Sequence, residues 1–166
     1  MPEILDLYDR NGVCTGETMI RGTKVPAGRR VLIVSIVTLN SSGEILLTRR
    51  AAGKTYAGCW EITGGCVQSG ETAVQGAVRE LFEETGIQVT ESELELRGTV
   101  SGADYIHAFY LVRKDVPVGE VHLLAGETDA AKWAKPSEYL EMAAVRKTIP
   151  LHISLLTERY PDLFKE

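Results

Sequence analysis

The chain has 166 residues, with 18 Lys and Arg against 23 Asp and Glu, a formal charge of −5, 44% apolar residues and 25% charged ones. That is the length of one ordinary domain, so residues 1–166 are expected to form a single unit that buries roughly 70% of its unfolded surface without a staple. The acidic balance lacks the basic footprint of a nucleic-acid or membrane-surface binder, so neither DNA nor RNA binding nor membrane association is expected. Small anions held through a cation remain open.

Ile4–Tyr8 reads as a short strand that turns at Asp9–Gly12, where Asn11-Gly12 is a hairpin signal. Arg21–Arg30, with Gly22, Pro26 and Gly28, reads as a connection. Val31–Leu39 is a nearly continuous β-branched run, as a strand buried on both faces should be. Asn40–Gly43 supplies a turn, and Glu44–Arg49 is expected as a second strand, the pair forming a hairpin at the centre of a sheet. Arg50–Gly70 is glycine-rich and loop-like.

Thr72–Thr85 follows helical periodicity and Gly86 is its stop signal. Leu94–Ser101 and Tyr105–Lys114 read as strands, and a further strand is expected between Thr128 and Lys132. Pro136 stands where a helix can begin, with Ser137–Val145 behind it, and Ile149–Tyr160 reads as a C-terminal helix ending near Pro161. Strands surround one central helix and helices return at the end. That order points to a mixed α/β sandwich rather than a doubly wound parallel fold.

Cys14, Cys59 and Cys66 cannot all pair and match no zinc spacing, and His107, His122 and His152 are scattered. The opening segment MPEILDLYDRNG has no basic stretch followed by an apolar one, and no apolar run approaches the ~20 residues of a membrane span. A reduced, cytoplasmic domain is the expectation.

On the central helix, Val74, Ala77, Val78, Leu81 and Phe82 are expected to form one apolar stripe. Glu80, Glu83 and Glu84, spaced i, i+3, i+4, share another face that could open into a cleft. The bland alternative is a solvated acidic face. Two penalties weigh against it. Like charges at i, i+4 repel, and Glu83 and Glu84 occupy the last turn, where the helix dipole disfavours anions by roughly 0.3–1 kcal/mol each. A hard divalent cation with oxygen ligands, Mg²⁺ or Mn²⁺, would relieve both. Glu71, Glu80, Glu83, Glu84 and Arg79 together supply −3 of the net −5, so most of the acidity is local.

From Gly65 the chain reads GCVQSGETAVQGAVRELFEETGI. Gly65, Glu71, Arg79, Glu80, Leu81, Glu83, Glu84, Gly86 and Ile87 occupy the spacing G-x5-E-x7-R-E-U-x-E-E-x-G-U, with U apolar. Every defined position of this segment resembles the Nudix box. The resemblance implies a Nudix-type α/β/α sandwich with a mixed β-sheet and a catalytic loop-helix-loop. It implies metal ligation by Glu80, Glu83 and Glu84, with the Gly65 carbonyl as a further ligand, and an orienting pair between Arg79 and Glu71.

The activity it implies is hydrolysis of a diphosphate in a nucleoside-diphosphate-linked or other small molecule. Members are often dimers, so the resemblance is compatible with a homodimer. Glu84 is the first candidate for a shared ligand and base role, with Glu127 and Asp129 as alternatives. Ala130 stands three before Trp133, where related proteins often carry an acid. Arg49 and Arg50 could reach substrate phosphates or end a strand in solvent. Trp60 could line the cleft or pack in the core. Either Tyr105, His107 and Phe109 or their alternating neighbours could touch a ligand or simply pack.

The pre-box segment is Trp60-Glu61-Ile62-Thr63-Gly64-Gly65, with Thr63 where proline is usual. The segment LYDRNGVCTGETMIRG also resembles the opening of the isopentenyl-diphosphate-isomerase-like branch. Such an isomerase needs a cysteine and a histidine near Cys-Gly-His. Here the tripeptide is Gly64-Gly65-Cys66, which removes the expected acid. A non-catalytic nucleotide-binding Nudix module is the other alternative, and such modules usually show a degraded box.

Overall fold

The computed structural model describes residues 1–150 and 152–165. An N-terminal hairpin, β1 (Ile4–Tyr8) and β2 (Cys14–Ile20), forms a two-stranded sheet of its own. Its turn is held by Asp9, whose Oδ1 accepts the amides of Asn11 (2.8 Å) and Val13 (2.9 Å). This is the side-chain-to-backbone bonding that suits Asp to turns.

The main sheet is built around β3 (Val31–Leu39), which runs parallel to β8 (Tyr105–Arg113) from Val31↔Tyr105 to Leu39↔Arg113. β7 (Glu95–Ser101) adds antiparallel to β8. The expected hairpin of β3 with β4 (Ile45–Arg50) has its turn, but the strands are in register only at Leu39↔Ile45 and then part. Below that point β3 pairs with β6 (Thr63–Cys66), whereas β4 pairs with β5 (Trp60–Glu61) and β9 (Thr128–Ala134). So the stretch read as loop over Arg50–Gly70 contains two short strands. Their glycines carry little intrinsic strand preference; pairing to β3 and β4 makes them strands.

Alternation along the strands sorts side chains into two layers. Val34, Ile36, Leu46, Ala108, Tyr110 and Val112 pack with Ala77 and Leu81 of the central helix α1 (Ala73–Thr85). Val37, Leu39, Ile45, Leu47, Phe109 and Leu111 pack with Tyr139 of α2 (Pro136–Ala144), Leu156 of α3 (His152–Arg159) and Tyr160. The result is an α/β/α sandwich with a mixed sheet. The first residues expected in the last helix, Ile149 and Pro150, precede α3, and Leu151 lies outside the described residues.

Helix α1 begins and ends where its sequence dictates. Thr72 caps it, accepting the Gln75 amide at 3.3 Å, and the Gln75 side chain accepts the Thr72 amide at 2.9 Å, a reciprocal capping box. Gly86 closes it in the left-handed region at φ 73°. One expectation fails: Phe82 is 50% exposed and does not belong to the buried stripe. Fully buried Thr85 takes the inward position in the last turn, its hydroxyl bonded to the Leu81 carbonyl.

Candidate active site

The carboxylate face of α1 is organised by Arg79. Its guanidinium grips Glu71 with two bonds, Nε to Oε1 at 2.7 Å and Nη2 to Oε2 at 3.0 Å. Nη2 also reaches the Cys66 carbonyl at 2.8 Å, and Nη1 donates to Glu80 at 2.9 Å and to Glu83 at 3.1 Å. The Arg79–Glu71 pair thus sits inside a larger network. Five short donor contacts fix the guanidinium plane in a way a lysine could not. Glu71 in turn accepts the Gln68 amide at 2.9 Å, tying the preceding loop to the helix.

Burial favours neutral carboxyls here, and the network resists it unequally. Burial alone would raise Glu71, but hydrogen bonds from Arg79 and the Gln68 amide bring it below the usual carboxylate range. Burial similarly disfavours charge on Arg79, yet its bonds to Glu71 and Glu80 hold its pKa above the ordinary value. Glu80, only 6% exposed, is raised by burial despite Arg79 beside it. Glu84 has no such cation. Burial first, then the neighbouring carboxylates Glu80 and Glu61, push it up to about 8, against a hydrogen bond from the Gly64 amide.

β6 stands between this face and a cavity of about 390 Å³. Gly64 and Gly65 line that cavity and also meet the carboxylates. A Cβ on Gly65 would fall within the Glu80 carboxylate, and a Cβ on Gly64 would lie 2.6 Å from the Val34 carbonyl oxygen. Only glycine lets the strand approach both neighbours this closely. The cavity is further lined by Ser35 and His107 from the α3-facing side of the sheet, by Arg50 and Glu61, by Tyr56, and by His152 of α3.

Within it, Arg50 Nη1 holds both Glu61 oxygens at 3.0 and 2.9 Å. Ser35 Oγ lies 2.7 Å from His107 Nε2, and the His107 ring stacks on Phe109 at 4.0 Å. Burial, with His152 adding to it, lowers His107 to about 4, so its imidazole is neutral near pH 7.

The remaining residues singled out from the sequence divide by strand alternation. Arg50 faces the cavity. Arg49 lies outside it, paired with Asp129 at 2.7 Å and stacked 5.8 Å from the Trp60 ring. Trp60 is likewise not a lining residue. It is in register with Arg49, carries Lys132 Nζ 4.7 Å from its centroid, and packs against the core under α2 and α3. Glu127 pairs with Lys54 and also stays off the lining. Of the Tyr105, His107, Phe109 face, only His107 reaches the cavity.

Ser35, Tyr56, Glu61 and His152 were not candidates from the sequence. Three separated stretches of the chain, β3, the segment from Tyr56 to Glu61, and α3, bring them together, and only Glu61, inside the pre-box segment, carried a local signal. Tyr56 has a positive φ of 57°, a rare conformation for a residue with a side chain.

The NUDIX domain family model matches residues 29–152. The chain belongs to the Nudix family. With its box intact from Gly65 to Ile87 it is a Nudix hydrolase. It is 34% identical to the CTP pyrophosphohydrolase of Escherichia coli K12 over 74% of this chain and 89% of that one. It is 32% identical to an isopentenyl-diphosphate Delta-isomerase of Streptomyces coelicolor, over 86% of this chain and 70% of that one. Its fold superposes on the crystal structure of DR0079 from Deinococcus radiodurans with a TM-score of 0.78 and 24% identity, covering 95% of this Nudix chain and 99% of the other.

Nudix hydrolases generally use divalent metal ions. Among the described residues no three His, Cys, Asp or Glu side chains already stand as a ligand set. Arg79 Nη1 is bonded to both Glu80 and Glu83. The donor chemistry nonetheless fits a hard cation. Three carboxylates share one helix face, and burial together with the carboxylates Glu80 and Glu61 opposes the charge of Glu84.

Proposed function

We propose that residues 1–166 act as one Nudix domain that hydrolyses a diphosphate bond in a nucleoside-diphosphate-linked or other small molecule, with Mg²⁺ or Mn²⁺ as cofactor. The observation that carries this reading is Glu84. Its carboxyl is pushed up to about 8 beside Glu80 and Glu61, and it lies across Gly64 from a cavity of about 390 Å³. A bound divalent cation would supply charge screening for the diphosphate and acidify the attacking water. Glu80, Glu83 and Glu84, with the Gly65 carbonyl, are the residues that would hold it.

Of the three carboxylates Glu84 alone is not bonded to Arg79, and it would also take the water's proton. Arg79 keeps Glu80 and Glu83 in place and prevents their mutual repulsion from opening the helix. Glu61, braced by Arg50, is a second acid on the cavity wall. Ser35, His107, Tyr56 and His152 would receive the group linked to the diphosphate.

The likeness to an isomerase supports a second reading, conversion of isopentenyl to dimethylallyl diphosphate. Gly64 argues against it, because the backbone there leaves no room for the side chain that reaction needs. Phosphate or phosphomonoester release should be screened across nucleoside triphosphates, nucleotide sugars, dinucleoside polyphosphates and isopentenyl diphosphate, with Mg²⁺ or Mn²⁺. Turnover of at least one compound is expected. Binding without turnover across the panel would instead make this a binding module.

A further inference from the structure

The hairpin β1–β2 precedes the matched segment 29–152, yet it grips the loop that leads into α1. Asp6 accepts two bonds from that loop, Oδ1 from the Ser69 hydroxyl at 2.6 Å and Oδ2 from the Gly70 amide at 2.9 Å. The Ile4 carbonyl accepts the Ser69 amide at 2.8 Å. These three contacts join segments more than sixty positions apart in the chain. We propose that Asp6 is a positioning residue, which fixes the Gln68–Glu71 loop and through it the Arg79 network that arranges Glu80 and Glu83.

The links are continuous. Asp6 holds Ser69 and Gly70. The adjoining Glu71 accepts the Gln68 amide and grips Arg79, and Arg79 donates to Glu80 and Glu83. The hairpin itself is a firm base. Alternation buries Leu5 and Leu7 against Val31, and the Tyr8 and Arg30 backbones exchange two bonds of 2.8 and 2.9 Å. Asp6 is on the opposite face from those leucines, so the core does not need its carboxylate. Without the clamp, Ser69 and Gly70 are exposed loop residues, and Gly70 has a φ of 85°. Such a loop would sample several conformations. Each would move the Glu71 carboxylate relative to Arg79.

The clamp bears on the metal and rests on the functional reading above, so its test carries a readout that does not. Asp6→Ala removes both acceptors. Asp6→Asn can keep the geometry, accepting from Gly70 with its oxygen and donating to the Ser69 hydroxyl with its amide. Three quantities are measured: hydrogen exchange at the Gln68 amide in metal-free protein, Mn²⁺ affinity by titration without substrate, and kcat against KM on a substrate found in the screen.

Asp6→Ala is expected to speed Gln68 exchange at least tenfold, weaken Mn²⁺ at least fivefold, and lower kcat at least fivefold with KM nearly unchanged. Asp6→Asn should stay within twofold of wild type in all three. A lower melting temperature with unchanged Gln68 exchange and Mn²⁺ affinity would overturn the proposal and leave Asp6 a structural residue. Asp6→Asn as impaired as Asp6→Ala would overturn it as well. If Asp6→Ala does not fold, Ser69→Ala at the exposed end of the same bond carries the test, and no change in Gln68 exchange again overturns it. If wild type turns over no diphosphate, the functional reading falls while Gln68 exchange still decides the clamp.

Discussion

Glu84 is a residue whose charge the fold opposes. Its carboxyl is raised to about 8 by burial and by Glu80 and Glu61, so the folded protein favours its protonated form. In the unfolded chain the same group ionises near pH 4.3. Between those two values the unfolded state loses its proton first, so the Glu84 contribution to metal-free stability should fall as pH rises from about 4.5 to about 8, then level off, while buried neutral His107 acts in the opposite sense below about 6.5. In EDTA, the wild-type melting temperature should therefore fall relative to that of Glu84→Gln as pH rises across that range. Added Mg²⁺ should raise the melting temperature more at pH 8 than at pH 5. A slope that is unchanged in Glu84→Gln would mean that another group sets it.

At the level of elements, α1 separates what holds the helix from what it does. Thr72→Ala removes the cap and should cost about 1 kcal/mol of stability in denaturant melts, with kcat unchanged. Gly65→Ala is the converse case. A methyl there meets the Glu80 carboxylate, so the variant should lose at least tenfold in kcat for a smaller fall in melting temperature. Comparable kcat in Gly65→Ala and wild type would show that Glu80 need not sit against β6. The contrast also shows what local sequence can specify. Helical periodicity from Thr72 and the stop at Gly86 set the helix within a residue, and the β-branched run set β3 from Val31 to Leu39, because these signals act on the residues that carry them. β5 and β6 carry no such local signal because their structure comes from distant partners. Phe82 departs from the expected stripe because periodicity gives a face but not what lies opposite it.

Across the whole molecule, the divergence of β3 and β4 is the decisive feature. Once they part after Leu39↔Ile45, β6 fills one side, β5 the other, and Ser35, Glu61, Gly64 and His107 gather around one cavity. Arg79 and its glutamates were legible in the sequence as a contiguous pattern. The cavity was not, since Tyr56 and His152 meet there only through the fold, and the alternation that turns Arg50 inward turns Arg49 toward Trp60.

The most direct test is product release from a diphosphate substrate by wild type and Glu84→Gln, each with Mg²⁺ and with EDTA. Turnover should require the cation and fall by about 10²-fold or more in Glu84→Gln, with the variant still folded. Wild-type rates in EDTA, or in Glu84→Gln with Mg²⁺, would contradict the account.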